Sequence, residues 1–128
     1  MATDQAANAN SDPELDKWEV QLRKGSLELV ILACLWSGRL YGLEILRRLE
    51  SDSDLVLSAG TVYPLLARLK TDGLVQAEWV AGDSGHARKY YQLTLAGRSR
   101  AVQMARLWVR FSTGLKGSLS NILKETRA

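Results

Sequence analysis

The chain has 128 residues, 46% hydrophobic and 24% charged, with a net charge of +3. That length holds one domain with a modest core, and the composition is that of a soluble globular protein, which argues against both a disordered chain and a membrane span. A lone cysteine excludes an intrachain disulfide, and with a lone histidine it leaves no strong metal site and no cofactor cage.

The charge is unevenly placed. The first 16 residues hold Asp4, Asp12, Glu14 and Asp16 and no Lys or Arg, so the remainder carries 17 basic against 10 acidic side chains. A basic body favours a polyanionic partner such as nucleic acid or an anionic membrane surface. Residues 1–11 are mostly Ala, Asn, Gln, Asp and Ser, too polar to order themselves, and are expected to form a disordered tail. No basic region precedes an apolar core there, so no signal peptide is visible. The apolar run from Leu27 to Trp36 is too short to span a bilayer. Cys34 within that run reads as a buried thiol, which suits a reducing cytoplasm.

Asp12-Pro13-Glu14 starts a first helix: a capping Asp, Pro at the first position, then an acid near the positive end of the dipole. Leu15, Trp18 and Leu22 line one stripe of it, so it packs on its own domain or on a second chain. Lys24-Gly25 ends it. Ser26 is placed to cap the next helix, which runs to about Trp36 and is apolar nearly all round, as a helix in the middle of a small core is. Tyr41 to Glu50 forms a third helix, with Leu46 and Leu49 facing in and Arg47 and Arg48 facing out. Ser51 to Leu57 is a polar connection, longer than the tight turn of a minimal helix-turn-helix, which favours the looser winged version.

The stretch Ser58–Trp79 organises the rest. Val62, Leu65, Leu66 and Leu69 recur at helical spacing, and Asp72-Gly73 stops the helix. Opposite that stripe, at about 100° per residue, lie Gly60, Pro64, Ala67 and Thr71, all small. Tyr63 and Lys70 edge this face on one side, Thr61 and Arg68 on the other. A flat face rimmed by cations and hydrogen-bonding groups suits a helix pressed into a groove. The alternative is a short polar helix whose small residues carry no message; the stretch by itself leaves both open. Pro64 requires either a start near Gly60 or Thr61, or a start at Ser58 with a distortion at the proline.

Leu74–Val80 and Arg88–Leu93 alternate as strands about a glycine-rich, mobile loop, Ala81–Ala87, and so form a β-hairpin. Following such a helix, the hairpin reads as a wing. Thr94 caps a last helix reaching about Lys124, on the order of 45 Å long. Ala101, Met104, Trp108, Phe111, Leu115, Leu119 and Ile122 recur along it in steps of three and four. The helix is longer than one small domain needs, and its surplus apolar stripe implies a second copy of the chain. An enzyme is a poor fit: His86 stands alone in a loop, Cys34 has no nearby base, and neither paired carboxylates nor a phosphate loop appears.

Lys24-Gly25-Ser26-Leu27-Glu28-Leu29, Tyr41-Gly42, Gly60-Thr61-Val62-Tyr63-Pro64-Leu65-Leu66, Leu69, Gly73-Leu74-Val75 and Tyr91-Gln92-Leu93-Thr94 together resemble the PadR family of bacterial transcriptional regulators. The resemblance covers roughly residues 22–124, and the single terminal helix resembles the short-chain branch. It implies a mainly α fold with a small β-hairpin: a winged helix-turn-helix over 12–93, including the extra first helix, followed by a dimerisation helix over 94–128. It also implies a homodimer, double-stranded DNA as partner and repression of a nearby promoter. Ser58, Gly60, Thr61 and Tyr63 match the start of the family's reading helix, with Arg68 and Lys70 on its flanks. His86, Arg88 and Lys89 fall where its wing touches DNA, and Tyr41 and Gly42 match a helix start near phosphate. Dimer contacts would come from Leu15, Trp18, Leu22, Trp108, Phe111, Leu115, Leu119 and Ile122. In some short members an aromatic residue of the terminal helix stacks planar drugs, which implies a small aromatic effector held by Met104, Trp108 and Phe111. The rival class is a winged helix used only as a protein-interaction module.

Overall fold

The computed structural model describes residues 12–51, 57–83 and 85–127; the expected disordered tail lies outside them, as does most of the connection after Ser51. Within the described residues the chain forms α1 (Pro13–Lys24), α2 (Leu27–Cys34), β1 (Leu40–Tyr41), α3 (Gly42–Ser51), α4 (Ala59–Thr71), β2 (Val75–Ala81), β3 (Ala87–Leu93) and α5 (Leu95–Arg127). The strands make one antiparallel sheet in the order β1-β3-β2. The hairpin therefore has a third strand that the sequence reading placed partly in a helix: Leu40 pairs with Tyr91, and Tyr41 with Tyr90.

α1 starts as its residues dictate. Asp12 caps it, its carboxylate accepting the Glu14 N–H at 2.9 Å, with Pro13 at the first position. None of its residues is buried, and Leu15, Trp18 and Leu22 are all more than half exposed. Ser26 does not cap α2; its hydroxyl donates instead to the Arg23 carbonyl at 3.0 Å.

α2 is covered on one side only. Ile31, Leu32 and Leu35 are buried, whereas Ala33 and Trp36 are exposed and Cys34 is half-buried. The expectation of a fully enclosed helix thus gives way to one with an open apolar flank. The core pairs its buried side with Ile45, Leu46 and Leu49 of α3, Val62, Leu66 and Leu69 of α4, and Val75, Tyr91 and Leu93 of the sheet.

α4 ends in a tight reversal. Gly73 takes φ +76°, its N–H donates to the Lys70 carbonyl at 3.0 Å, and the Leu74 N–H reaches back to Leu69 at 2.9 Å. This paired closure satisfies two carbonyls that the helix end would leave open. β2 follows directly, and Gly42 lies against Tyr63 while Tyr41 pairs with Tyr90 opposite Glu78, so the first turns of α4 lie level with the outer part of the hairpin.

The start of α5 is tied to that reversal. The Thr94 hydroxyl donates to the Gly73 carbonyl at 2.7 Å and accepts the Gly97 N–H at 3.0 Å, while the Thr94 N–H donates to Leu74 at 3.1 Å. α5 then runs 33 residues, about 50 Å. Only its first turns touch the core, through Ala101 and, less deeply, Met104. Beyond them Trp108, Phe111, Leu115, Leu119 and Ile122 all stand exposed.

Candidate nucleic-acid interface

α4 begins at Ala59 with Ser58 as its cap residue, the earlier of the two starts the sequence allowed. The Ser58 carbonyl takes the N–H groups of Thr61 at 3.0 Å and Val62 at 2.9 Å, and its hydroxyl lies 3.5 Å from that of Thr61. Pro64 is therefore in the second turn, where it withholds the N–H that Gly60 would otherwise accept. Gly60, Pro64, Ala67 and Thr71 are all exposed, as are Ser58 and Lys70, and Thr61 is partly so. Among the described residues the flat face is bare.

Gly42 and Tyr63 meet. A Cβ on Gly42 would come within 3.0 Å of the Tyr63 ring, so the bare glycine is what lets the phenol rest against the start of α3. The α4 aromatic and the Tyr-Gly pair thus form one surface. The Tyr41 N–H is already taken: Glu44 reaches back to accept it at 3.1 Å, half of a capping box.

The wing cations divide between the two faces of the sheet. Arg88 lies 4.5 Å above the Tyr41 ring. Lys89, on the opposite face, lies 5.9 Å from the Trp79 ring and 5.8 Å from that of Tyr91. His86 is exposed at the tip, and its carbonyl accepts the Gly82 N–H at 3.0 Å. A second bond, from the Gly85 N–H to Gly82 at 3.1 Å, makes the described part of this loop a tied turn. Arg68 is not a free cation: its guanidinium pairs with Glu28 of α2 and lies 4.0 Å from Asp72. Tyr41, Gly42, Ser58, Gly60, Thr61, Tyr63, His86, Arg88 and Lys89 gather at the end of the molecule where α4 starts and the hairpin projects. Arg68 and Lys70 sit further along α4.

The profile of the transcriptional regulator PadR-like family matches residues 31–103, more than half of the chain and all of this surface. The chain belongs to that family. It is similar to a transcriptional regulator of Mycobacterium tuberculosis, 37% identical over 65 residues that make up 51% of this chain and 60% of that protein. The chain thus spans less than two thirds of that curated relative. Among solved structures, a PadR-like transcription factor from Bacteroides fragilis is 36% identical with a TM-score of 0.64, covering 78% of this chain and 96% of its own. A PadR family regulator from Eggerthella lenta is 30% identical with a TM-score of 0.71, covering 82% and 91%. These relatives are transcriptional regulators, and the two solved structures share the fold along most of each chain.

In this PadR-like chain Met104, Trp108 and Phe111 come together on α5, lining a shallow apolar groove with Gly25, Leu29 and Leu107. Trp108 also borders a recess of about 480 Å³ between α2 and α3, into which Cys34 and Arg48 open. Burial raises the Cys34 thiol above its ordinary pKa, and Arg48 pulls it partly back. Among the described residues no cluster of His, Cys, Asp and Glu is arranged to hold a metal, and no helix is long and apolar enough to cross a membrane.

Sequence reasoning passed over a chain of stacked rings and cations on the outer sheet face. Tyr41 and Tyr90 meet edge-on at 5.6 Å, Arg39 lies 4.7 Å over Tyr90, and Arg39 pairs with Glu78 at 3.1 Å. No local spacing signals it, because its members come from three strands and the turn before β1.

Proposed function

We propose that this PadR-like chain acts as a homodimeric, sequence-specific repressor in the bacterial cytoplasm. Each α4 enters a major groove of double-stranded DNA, and the two copies lie about one helical turn, ~34 Å, or a multiple of it apart. The observation that carries this reading is the face of Gly60, Pro64, Ala67 and Thr71, all four exposed among the described residues.

Thr61 and Tyr63 read base edges from the helix start, Ser58 and Gly60 allow close approach, and Lys70, Arg88 and Lys89 meet phosphates. Arg68 joins them by exchanging Glu28 for a phosphate oxygen. The exposed stripes of α1 and α5, Leu15, Trp18 and Leu22 with Trp108, Phe111, Leu115, Leu119 and Ile122, support a dimer. A surface of this extent left to water is otherwise costly. A planar aromatic effector resting on Met104, Trp108 and Phe111 would touch the same helix that joins the subunits, and so alter the spacing of the two heads.

The test is binding to the gene's own promoter at two salt concentrations, with wild type and Ala67→Glu. Wild type should bind with a steep salt dependence. A carboxylate on the flat face meets phosphate and removes most of the affinity while the fold persists. Salt-insensitive binding to protein partners, with Ala67→Glu unchanged on DNA, would move the chain to the interaction-module class.

A further inference from the structure

We infer that Trp79 is a DNA-contact residue: its ring walls the cleft between the wing and α4 and packs on a deoxyribose of the strand passing through, with Lys89 on the adjoining phosphate. This rests on α4 being the reading helix.

The four tryptophans have different surroundings. Trp18 and Trp108 lie on the two exposed helix stripes, and Arg98 stacks 4.1 Å over Trp36 while donating to its carbonyl at 3.3 Å. Trp79 is 68% exposed, the most of the four, and belongs to none of these surfaces.

The sheet register places it. Val75 faces Leu93, Ala77 faces Tyr91 and Trp79 faces Lys89, so Trp79 continues the row whose inner members enter the core. The third strand stops at Tyr41, level with Tyr90 and Glu78. From the Trp79–Lys89 pair outward the hairpin is two-stranded and free-standing. Trp79 is the first residue of that projecting part on the face turned toward α4.

Tyr63 rests against Gly42, next to Tyr41, and Tyr41 is level with Tyr90 and Glu78, one residue before Trp79, so this ring and the first turns of α4 share one end of the molecule. A duplex that takes α4 into its major groove must thread one backbone between helix and wing. That backbone offers sugar C–H edges flanked by phosphates. A flat aromatic side chain with an ammonium 5.9 Å from its ring matches both. The ring supplies apolar contact, which every nucleotide satisfies, so it adds affinity without a sequence preference.

The experiment compares wild type, Trp79→Ala, Trp79→Phe, Lys89→Ala and Ala67→Glu on the promoter duplex, by fluorescence anisotropy of the labelled DNA at several salt concentrations. Trp79→Ala should weaken binding about tenfold with an unchanged salt slope, because no counterion is released by a sugar contact. Trp79→Phe should recover most of it. Lys89→Ala should lower the salt slope by about two, one phosphate per subunit. Thermal melting should leave Trp79→Ala within about 2 °C of wild type, since so exposed a ring adds little to the fold. Wild-type affinity in Trp79→Ala while Ala67→Glu fails to bind would overturn the role of Trp79 alone. Unchanged binding in both would overturn the reading helix itself.

Discussion

Gly97 is the residue on which the join between head and tail helix depends, and Gly97→Ala is a sharp test of it. An added Cβ would stand 1.9 Å from the Leu74 carbonyl oxygen and 2.9 Å from its carbon. Ordinary C···O contacts are about 3.3 Å or longer, so α5 must retreat by more than about 1 Å. The obstacle is backbone and cannot swing aside. Retreat weakens the bonds from Thr94 to Gly73 and Leu74, each worth about 1 kcal/mol net, and loosens Ala101 in the core. Overpacking strain adds about 1–3 kcal/mol. Against this, alanine favours the helix by up to about 1 kcal/mol. The balance is a loss of roughly 2–3 kcal/mol, or about 8–12 °C in melting temperature. Circular dichroism at 222 nm reads it, at one fixed protein concentration because the stability of the proposed dimer would follow mass action. A melting temperature equal to or above wild type would show that helix propensity outweighs the contact, and the argument for a tight join would be lost.

Two further outcomes follow from the same geometry. Leu119→Asp places a charge within the exposed α5 stripe; sedimentation should show a dimer for wild type and monomers for the variant, and an unaltered dimer would remove that stripe from the interface. The Cys34 thiol, its pKa raised chiefly by burial, should react with iodoacetamide at pH 8 more slowly than the same thiol in urea. The folded value is the higher one, so the contribution of Cys34 to stability is complete below the unfolded pKa and is lost as pH rises through the folded one. Equal rates in the folded and unfolded protein would contradict the burial.

The elements readable in the sequence were those whose signals are local. Asp12-Pro13, Asp72-Gly73 and the Val62–Leu66–Leu69 stripe each fix geometry within one or two turns, and each produced the element expected. β1 was missed because two residues cannot display alternation, and Tyr41-Gly42 also has the look of a helix start. α2 misled for another reason: an apolar face reads the same whether it meets its own core or an open groove, and periodicity carries no information about which. The contacts that assemble the candidate interface are longer in range. Gly42 and Tyr63 are brought together by the core beneath them, and Arg68 finds Glu28 on a helix 40 residues earlier. The motifs could be recognised one by one, but their convergence depends on the Gly42–Tyr63 contact and on Tyr41 pairing with Tyr90 across the sheet.

The Gly73 reversal also bears on how a tail helix could govern DNA binding. Thr94 bonds to both residues of the reversal that ends α4, and Gly97 sits against one of them. Two hydrogen bonds and a backbone contact thus tie the end of α4 directly to the start of α5. In a dimer joined through α5, a change in packing angle therefore passes undiminished to α4. The start of α4 lies about 20 Å from this join, given 13 residues of helix. A tilt of about 10° there displaces it by about 3.5 Å, close to the ~3.4 Å rise of one base pair. The effector proposed for Trp108 would then need neither to unfold nor to cover anything: favouring a packing angle that puts the two proposed heads one base pair out of step would suffice.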